Sequence, residues 1–338
     1  MIDDYLDIEE DDVPVRVFED DPNVYLSVYN MGWHWYYYNP DSTPLGEGAM
    51  GKVFLGYEYE TNQKVAIKQL FNKYANSKAV RERASLEAAL KFRHPNMVEM
   101  LGKCKYQDED GDWHVWVVSN YVDGVTIDKH IKKLEDNGYD DEMVPQVSSY
   151  IISILDALDY LHSRGIIHRD IKPSNIMMEN GDTPKLMDLG IARVTGSNLY
   201  TSMGFVGTPL YASPEQILRD KTQEQATAAS DIYSLGMTLY VLINGSNPFN
   251  ADTESKILKN QVTKKLPVSE RLKKRKWKKL MNVIWKATEK DKENRYQTAI
   301  EFKIAIQNAL NDRSFDWKYL LLIGSIVIIL IVLLLIII

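Results

Sequence analysis

The sequence predicts an α+β chain, with its strands gathered ahead of residue 121 and its helices mostly after it. Three observations carry that reading. Residues 54–70, FLGYEYETNQKVAIKQL, form two strand-like runs joined by a Thr-Asn turn. Ile151, Ile154, Leu155, Leu158 and Leu161 recur at helical spacing, and Gly165 closes the run. Residues 231–245, DIYSLGMTLYVLING, are apolar on nearly every side, as in a helix buried all round. A chain of 338 residues with 45% apolar content is long enough for one large or two medium domains and a sizeable core. Its single cysteine, Cys104, excludes an intramolecular disulfide and a Cys-cluster metal site, fits a reducing compartment, and reads as a small core residue.

Charge is unevenly distributed. Residues 1–22 hold ten Asp or Glu against one Arg, so the overall charge of −7 belongs to this tail, which is expected to be disordered or loosely attached. Residues 23–38 turn aromatic, with Tyr25, Tyr29, Trp33, Trp35, Tyr36, Tyr37 and Tyr38, and are expected to pack on the folded body. No basic run followed by a short apolar stretch opens the chain, so a cleaved secretory signal is not expected. After the turn signal Asn39–Pro40–Asp41–Ser42 comes Leu45-Gly46-Glu47-Gly48-Ala49-Met50-Gly51-Lys52-Val53. Such a glycine loop also opens dinucleotide folds, but there a helix follows directly. Here strand, turn and strand follow, the second strand carrying Val65-Ala66-Ile67-Lys68. A helix is expected over 77–92, then strands over 97–104 and 113–121 separated by an acidic turn. Beyond the helix that ends near Arg164 stands HRDIKPSNIM, His168 to Met177, with Asp188 thirteen residues after Asn175 in KLMDLGIAR.

This order of carboxylate, ammonium, carboxamide and second carboxylate closely resembles the catalytic and metal-binding loops of eukaryotic-like (Hanks-type) Ser/Thr protein kinases. The upstream glycine loop and the downstream run GTPLYASPE extend the resemblance over roughly residues 43–310. It implies a bilobal fold: a β-rich N-lobe over 43–121 preceded by the 1–42 segment, and a helical C-lobe over 122–310. It also implies ATP and Mg²⁺ as cofactors and protein hydroxyls as substrates. By resemblance Asp170 orients the attacking hydroxyl, Lys172 steadies the transferring phosphoryl group, and Asn175 with Asp188 holds the metal. Gly46, Gly48 and Gly51 let backbone N–H groups approach the phosphates. Leu45, Val53, Ala66 and Met177 line the adenine pocket, Val122 meets the base at the hinge, Ser119 guards the rear of the pocket, and Lys68 pairs with the phosphates. Lys172 with Pro173 and Asn175 is the Ser/Thr form of the loop, which argues against a dedicated tyrosine kinase.

One position departs from the family. The helix glutamate that pairs with the strand lysine usually lies nine residues before the His of HPN, where this chain has Ser85. Glu87 is the first choice for that catalytic partner if the connection is two residues short; Glu82 is the alternative, and either could be a surface charge. The segment from Asp188 to Glu215 resembles an activation segment, with Thr201 and Ser202, then Thr195, Ser197 and Tyr200, as phosphate acceptors and Arg169 as the receiving cation. Thr208 resembles the residue that contacts Asp170 and Lys172. Glu215 is expected to pair with Arg295, and Asp231 to tie its helix to the catalytic-loop backbone. A pseudokinase scaffold is the binding-class alternative, disfavoured by the presence of Lys68, Asp170, Asn175 and Asp188 together. A small-molecule phosphotransferase is disfavoured by the GTPLYASPE platform.

Residues 264–279 hold seven Lys and two Arg against one Glu. A solvated face is the ordinary reading and attraction to anionic lipid the alternative; no nucleic-acid motif accompanies the run, so nucleic acid is not an expected partner. Finally, Leu320–Ile338 is nineteen residues without a charge. As a helix it would span about 28 Å at ~1.5 Å per residue, close to a hydrocarbon core of ~30 Å. It reads as a single-pass membrane helix after a juxtamembrane linker over 311–319, with Trp317 and Tyr319 as interfacial anchors. The need for cytosolic ATP places the kinase body in the cytoplasm, with a homodimer for phosphorylation in trans as an open arrangement.

Overall fold

The computed structural model describes residues 14–311 except 90–91, 137, 139–141, 189–199, 202–203, 206–208 and 223–225, and omits the side chains of 79, 83, 86–89, 200–201, 204–205 and 219–222. Strands β1 (Val15–Val17), β2 (Val24–Tyr29), β3 (Trp33–Tyr38), β4 (Gly46–Gly48), β5 (Gly51–Glu58) and β6 (Lys64–Leu70) come first, followed by the short helix α1 (Asn72–Ala75) and by α2 (Lys78–Ala89). Strands β7 (Met100–Gln107) and β8 (Trp113–Asn120) complete an eight-stranded sheet in the order β1-β2-β3-β5-β6-β8-β7, with β4 also paired to β5. All of its pairings are antiparallel.

Alternation along these strands sorts the side chains into two faces. Leu26, Val28, Tyr36, Tyr38, Phe54, Val65, Ile67, Cys104, Trp116 and Val118 form one buried cluster. The sheet curls around it until its two ends meet: a Cβ on Gly102 of β7 would lie 2.4 Å from Val28 Cγ1 of β2, and Cys104 Sγ donates to Pro14 O at 3.2 Å. Trp116 Nε1 donates to Tyr38 OH across this core at 2.8 Å. The opposite face carries Val53, Ala66 and Lys68 toward the cleft. Farther along, it carries the cluster of Tyr25 and Trp35 with Phe18, Tyr37 and Tyr59. The aromatic segment is therefore a hairpin built into the sheet. The segment expected to be loosely attached is in part built into the sheet: Val15–Val17 pairs with Leu26–Val24 as an edge strand, with Val15 packed against the buried cluster, while residues 1–13 lie outside the described residues.

The large lobe contains β9 (Gly124–Thr126), α3 (Ile127–Asp136), α4 (Met143–His162), β10 (Ile176–Glu179), β11 (Thr183–Leu186), the short strands β12 (Tyr200–Thr201) and β13 (Gly204–Phe205), α5 (Pro214–Thr222), α6 (Ala228–Asn244), α7 (Glu254–Thr263), α8 (Lys278–Ala287) and α9 (Ala299–Asn311). Helices α4, α6, α8 and α9 share one core, in which Ile151, Leu155, Ile232, Leu235, Ile284 and Phe302 are fully buried. Thr227 and Ser230 cap α6 reciprocally, and Gly245, at φ +80, ends it in the left-handed region. The strand expected to start at Met97 begins at Met100; Met97 makes an isolated parallel bridge to Leu186. Among the described residues no helix is long and apolar enough to cross a membrane, and the apolar stretch 320–338 lies outside them.

Candidate active site

The catalytic loop is held in place by one carboxylate. Asp231, in the first turn of α6 and fully buried, accepts from His168 N at 2.8 Å and His162 Nε2 at 2.8 Å through Oδ2, and from Arg169 N at 2.7 Å through Oδ1. Arg169 has φ +68, a left-handed conformation uncommon for a residue with a Cβ, at a cost of about 1 kcal/mol or more. Two backbone N–H groups converging on one buried anion, and Gln216 Nε2 donating to Arg169 O at 3.0 Å, hold that turn. Gln216 was not singled out in the sequence; as a buried polar residue directly after Pro-Glu its only signal was its type. His168, quoted in the motif without a role, is 1% exposed and donates through Nε2 to Met187 O at 3.2 Å, while Nδ1 accepts from Asp170 N at 3.3 Å. Burial lowers its pKa, so it stays neutral and keeps the Nε2–H tautomer this bridge requires.

The bridge sets the distance between the two loops that carry the predicted acids. Asp170 is the centre of one group: Lys172 Nζ lies 3.1 Å from its Oδ2, and Asn175 Nδ2 donates to the same oxygen at 3.0 Å and to Asp170 O at 2.8 Å. That commits the Asn175 amide nitrogen and leaves its oxygen as the donor for a cation. Asp188 also has a left-handed backbone, φ +52, and follows a strand tied into the small-lobe connection by Val98 N donating to Leu186 O and Leu186 N to Asn96 O. Met187 N donates to Asn175 O at 3.0 Å, joining the two predicted metal ligands through the backbone. Across the cleft, Lys68 Nζ of β6 reaches Asp188 Oδ2 at 3.0 Å, with side chains 28% and 39% exposed. Lys68, Asp170, Lys172, Asn175 and Asp188 therefore form one connected set spanning both lobes.

The glycines divide. A Cβ on Gly46 or Gly48 would meet nothing within 4 Å, which leaves their backbone open to a ligand. A Cβ on Gly51 would sit 2.0 Å from Gln69 O, so the packing of β5 on β6 by itself requires a glycine here. Of the expected adenine-pocket residues, Val53 and Ala66 fall on the Lys68 face of the small-lobe sheet, and Met177 lies in the separate large-lobe sheet. Val53 pairs with Gly46 and Lys68, Ala66 with Ser119, and Met177 with Thr126. Leu45, half exposed, donates its N–H to Val53 O, and Val122 is buried at the start of the large lobe.

Glu82 is exposed and lies 3.7 Å from Lys78 on its own helix, a surface pair. The side chain of Glu87 is outside the described residues, and Ser85 engages Lys103 Nζ and Arg81 O. The predicted phosphate acceptors Thr195, Ser197 and Ser202, with Thr208, fall outside the described residues, as do the side chains of Tyr200 and Thr201. Glu215 and Arg295 form a buried bidentate pair, both contacts 2.8 Å, and Ser230 Oγ donates to Glu215 at 2.6 Å. Burial pushes the Glu215 carboxyl up, but the Arg295 hydrogen bonds and charge outweigh it and hold the group below the ordinary glutamate value. Nearby, burial and the charge of Arg295 push Lys290 down to about 7.

Comparison with known proteins agrees with this arrangement. The protein kinase domain family matches residues 40–312. A probable serine/threonine-protein kinase PknB of Bifidobacterium longum is 34% identical over 276 residues, covering 79% of this chain and 39% of that protein. The serine/threonine-protein kinase PknB of Mycolicibacterium smegmatis is 33% identical over 265 residues, covering 77% and 41%. The chain thus spans about two fifths of the length of these curated relatives. In fold, the Mycobacterium tuberculosis PknI kinase domain superposes with a TM-score of 0.58 at 23% identity, covering 79% of this chain and 94% of that one. With a curled β-rich lobe above a helical one, a lysine from the first meeting an aspartate of the second, and a family match over most of its length, the chain belongs to the protein kinase domain family.

Proposed function

We propose that the chain transfers the γ-phosphoryl group of ATP to Ser and Thr hydroxyls of proteins. The observation that carries this reading is the contact of Lys68 with Asp188 across the cleft, beside the Asp170–Lys172–Asn175 group. The donors fit a magnesium-nucleotide: a carboxylate and a carboxamide oxygen are hard ligands, and Lys68 places a cation where phosphates would lie above them. Bound Mg·ATP would supply the electrophilic phosphorus and neutralise the charge that develops on its oxygens. The chain's own residues then do the positioning. Asp170, held by Lys172 and Asn175, presents a carboxylate oxygen to the proton of the incoming hydroxyl. Lys172 stands beside it to balance charge on the group in transit.

Glu87 remains the proposed partner of Lys68 on the helix. It lies seven positions after Val80 and three after Ala84, both of which pack with Leu70, Val115 and Val117 on the Lys68 face of the sheet. The small pair Ala66 and Ser119 at neighbouring positions favours an open rear to the nucleotide pocket. Phosphate on Thr201 or Ser202 is proposed to order the activation segment through Arg169, and Leu320–Ile338 to anchor the kinase body on the cytoplasmic side of a membrane.

The test of the activity is incubation of the full chain with radiolabelled Mg·ATP and a generic protein acceptor, followed by phosphoamino-acid analysis. Label on serine and threonine is expected; label confined to tyrosine, or none with ATP bound, would overturn the reading.

A further inference from the structure

The connection between α7 and α8 carries a dense run of exposed cations that the proposed catalysis does not use, although Lys273 also meets Glu270 and Lys276 lies over the Trp277 ring. It consists of two 3-10 turns, Glu270–Leu272 and Arg275–Trp277, leading into α8 at Lys278. Lys273, Lys274, Arg275, Lys276, Lys278 and Lys279 are all exposed along it, whereas Leu272 and Trp277 are buried and fix its course on the large lobe. Three of these cations, Lys276, Lys278 and Lys279, crowd the N-terminal end of α8, which has no acidic residue in its first turn. The helix macrodipole makes that end electropositive, so the cations there oppose the helix and favour an external anion.

The rest of the molecule sharpens the asymmetry. Residues 264–279 carry nine cations against one carboxylate, residues 1–22 ten carboxylates against one cation, and the remaining chain 30 cations against 36 carboxylates. Residues 73–93, on the small lobe, carry six cations against two carboxylates, a sparser run, so a negatively charged plane would attract the 264–279 segment most strongly and orient the body through it.

Such a plane lies within reach on the proposed membrane anchoring, on which this inference rests. Helix α8 packs on α9, whose last residue, Asn311, stands nine residues before Leu320. That connection spans at most about 30 Å when fully extended. We infer that the 273–279 segment is a docking surface for the anionic headgroups of the bilayer in which the chain is anchored, laying the large lobe against the membrane. Each cation brought to an anionic surface strengthens the contact about fivefold, so six in one patch outweigh the orientational freedom of a short tether.

The experiment uses the full chain in nanodiscs of phosphatidylcholine alone or with about one third phosphatidylglycerol. Amine acetylation is read by mass spectrometry at Lys278 and Lys279, with Lys52 and Lys256 on other surfaces as references. Docking predicts at least about fivefold slower labelling of Lys278 and Lys279 in the anionic discs, unchanged labelling at Lys52 and Lys256, and loss of the difference in 0.5 M NaCl, where screening shortens to about 4 Å. In the K273Q/K274Q/R275Q/K276Q variant, labelling of Lys278 and Lys279 should become nearly independent of lipid, while autophosphorylation in neutral discs is unchanged. Insertion into both discs with equal labelling would overturn the docking alone and leave the surface to an acidic macromolecule. Failure to enter either disc would overturn the anchor and the docking with it.

Discussion

Replacing Asp231 by Asn tests how the catalytic loop is held. The carboxylate serves three donors at 2.7–2.8 Å with no exposure to solvent. An amide of the same shape can accept on one side only. In its better orientation the oxygen keeps His162 Nε2 and His168 N, and the NH₂ faces Arg169 N. That leaves a buried backbone donor unpaired, at about 1–3 kcal/mol, and removes charge assistance from two further bonds, at about 1 kcal/mol each. The sum is a loss of about 4 kcal/mol, reduced by roughly 1 kcal/mol if Arg169 relaxes from its left-handed conformation. Urea unfolding at pH 7.5 measures the loss, and the phosphorylation rate measures the loop. Asp231→Asn is expected to lower both while ATP affinity changes little, because Lys68 and Asp188 are not among its partners. A stability loss below about 1 kcal/mol, or an unchanged rate, would refute the claim that this carboxylate positions Asp170.

Three further outcomes follow from the same geometry. His168 is buried neutral with its pKa lowered, and burial lowers those of His94 and His130 too. Their contribution is fully present above the unfolded imidazole value near 6.5 and is lost as pH falls through it, at up to about 1.4 kcal/mol per pH unit for each histidine; urea midpoints from pH 7.5 to 5.5 should fall, and a flat profile would contradict the neutral bridge. Glu215→Gln strands Arg295, whose side chain is 0% exposed, and should cost about 3–5 kcal/mol, whereas the paired change Glu215→Leu with Arg295→Met should cost less than the single one in the same unfolding assay. Gly51→Ala should destabilise the small lobe by about 2 kcal/mol or more, since its Cβ would meet Gln69 O. Gly48→Ala, which meets nothing, should leave the unfolding midpoint in place and alter only the KM for ATP.

What the sequence revealed and what it hid have physical reasons. The loop groups Asp170, Lys172, Asn175 and Asp188 were legible because they lie within 21 residues of one another, from His168 to Asp188, where one motif carries the resemblance; Lys68, far upstream, was legible through the glycine loop and Val65-Ala66-Ile67 before it. Asp231 and the Glu215–Arg295 pair were legible through resemblance, and the structure shows why those polar residues are buried: Asp231 satisfies the N–H groups of His168 and Arg169, and Glu215 neutralises the Arg295 guanidinium. The small-lobe additions were not legible. Aromatic composition showed that residues 23–38 must pack, but their partners lie across the sheet, with Tyr36–Tyr38 on β5 and Val28 against Gly102, and strand pairing over such separations leaves no local periodicity. The same limit hid β1 inside an acidic tail and the packing reason for Gly51, which in sequence is one glycine of a phosphate loop. His168 stayed without a role because its two ring contacts are to backbone atoms, which any sequence supplies.

The most direct test compares Asp170→Asn with the unaltered chain in a single preparation, measuring Mg·ATP affinity by calorimetry and the rate of phosphoryl transfer to protein. The account predicts an ATP Kd within about threefold of the original and a rate lower by ~10² to 10⁴, the loss expected when a group that handles the proton of the nucleophile is removed. A variant that transfers phosphate at the original rate, or that fails to bind Mg·ATP while remaining folded, would contradict it.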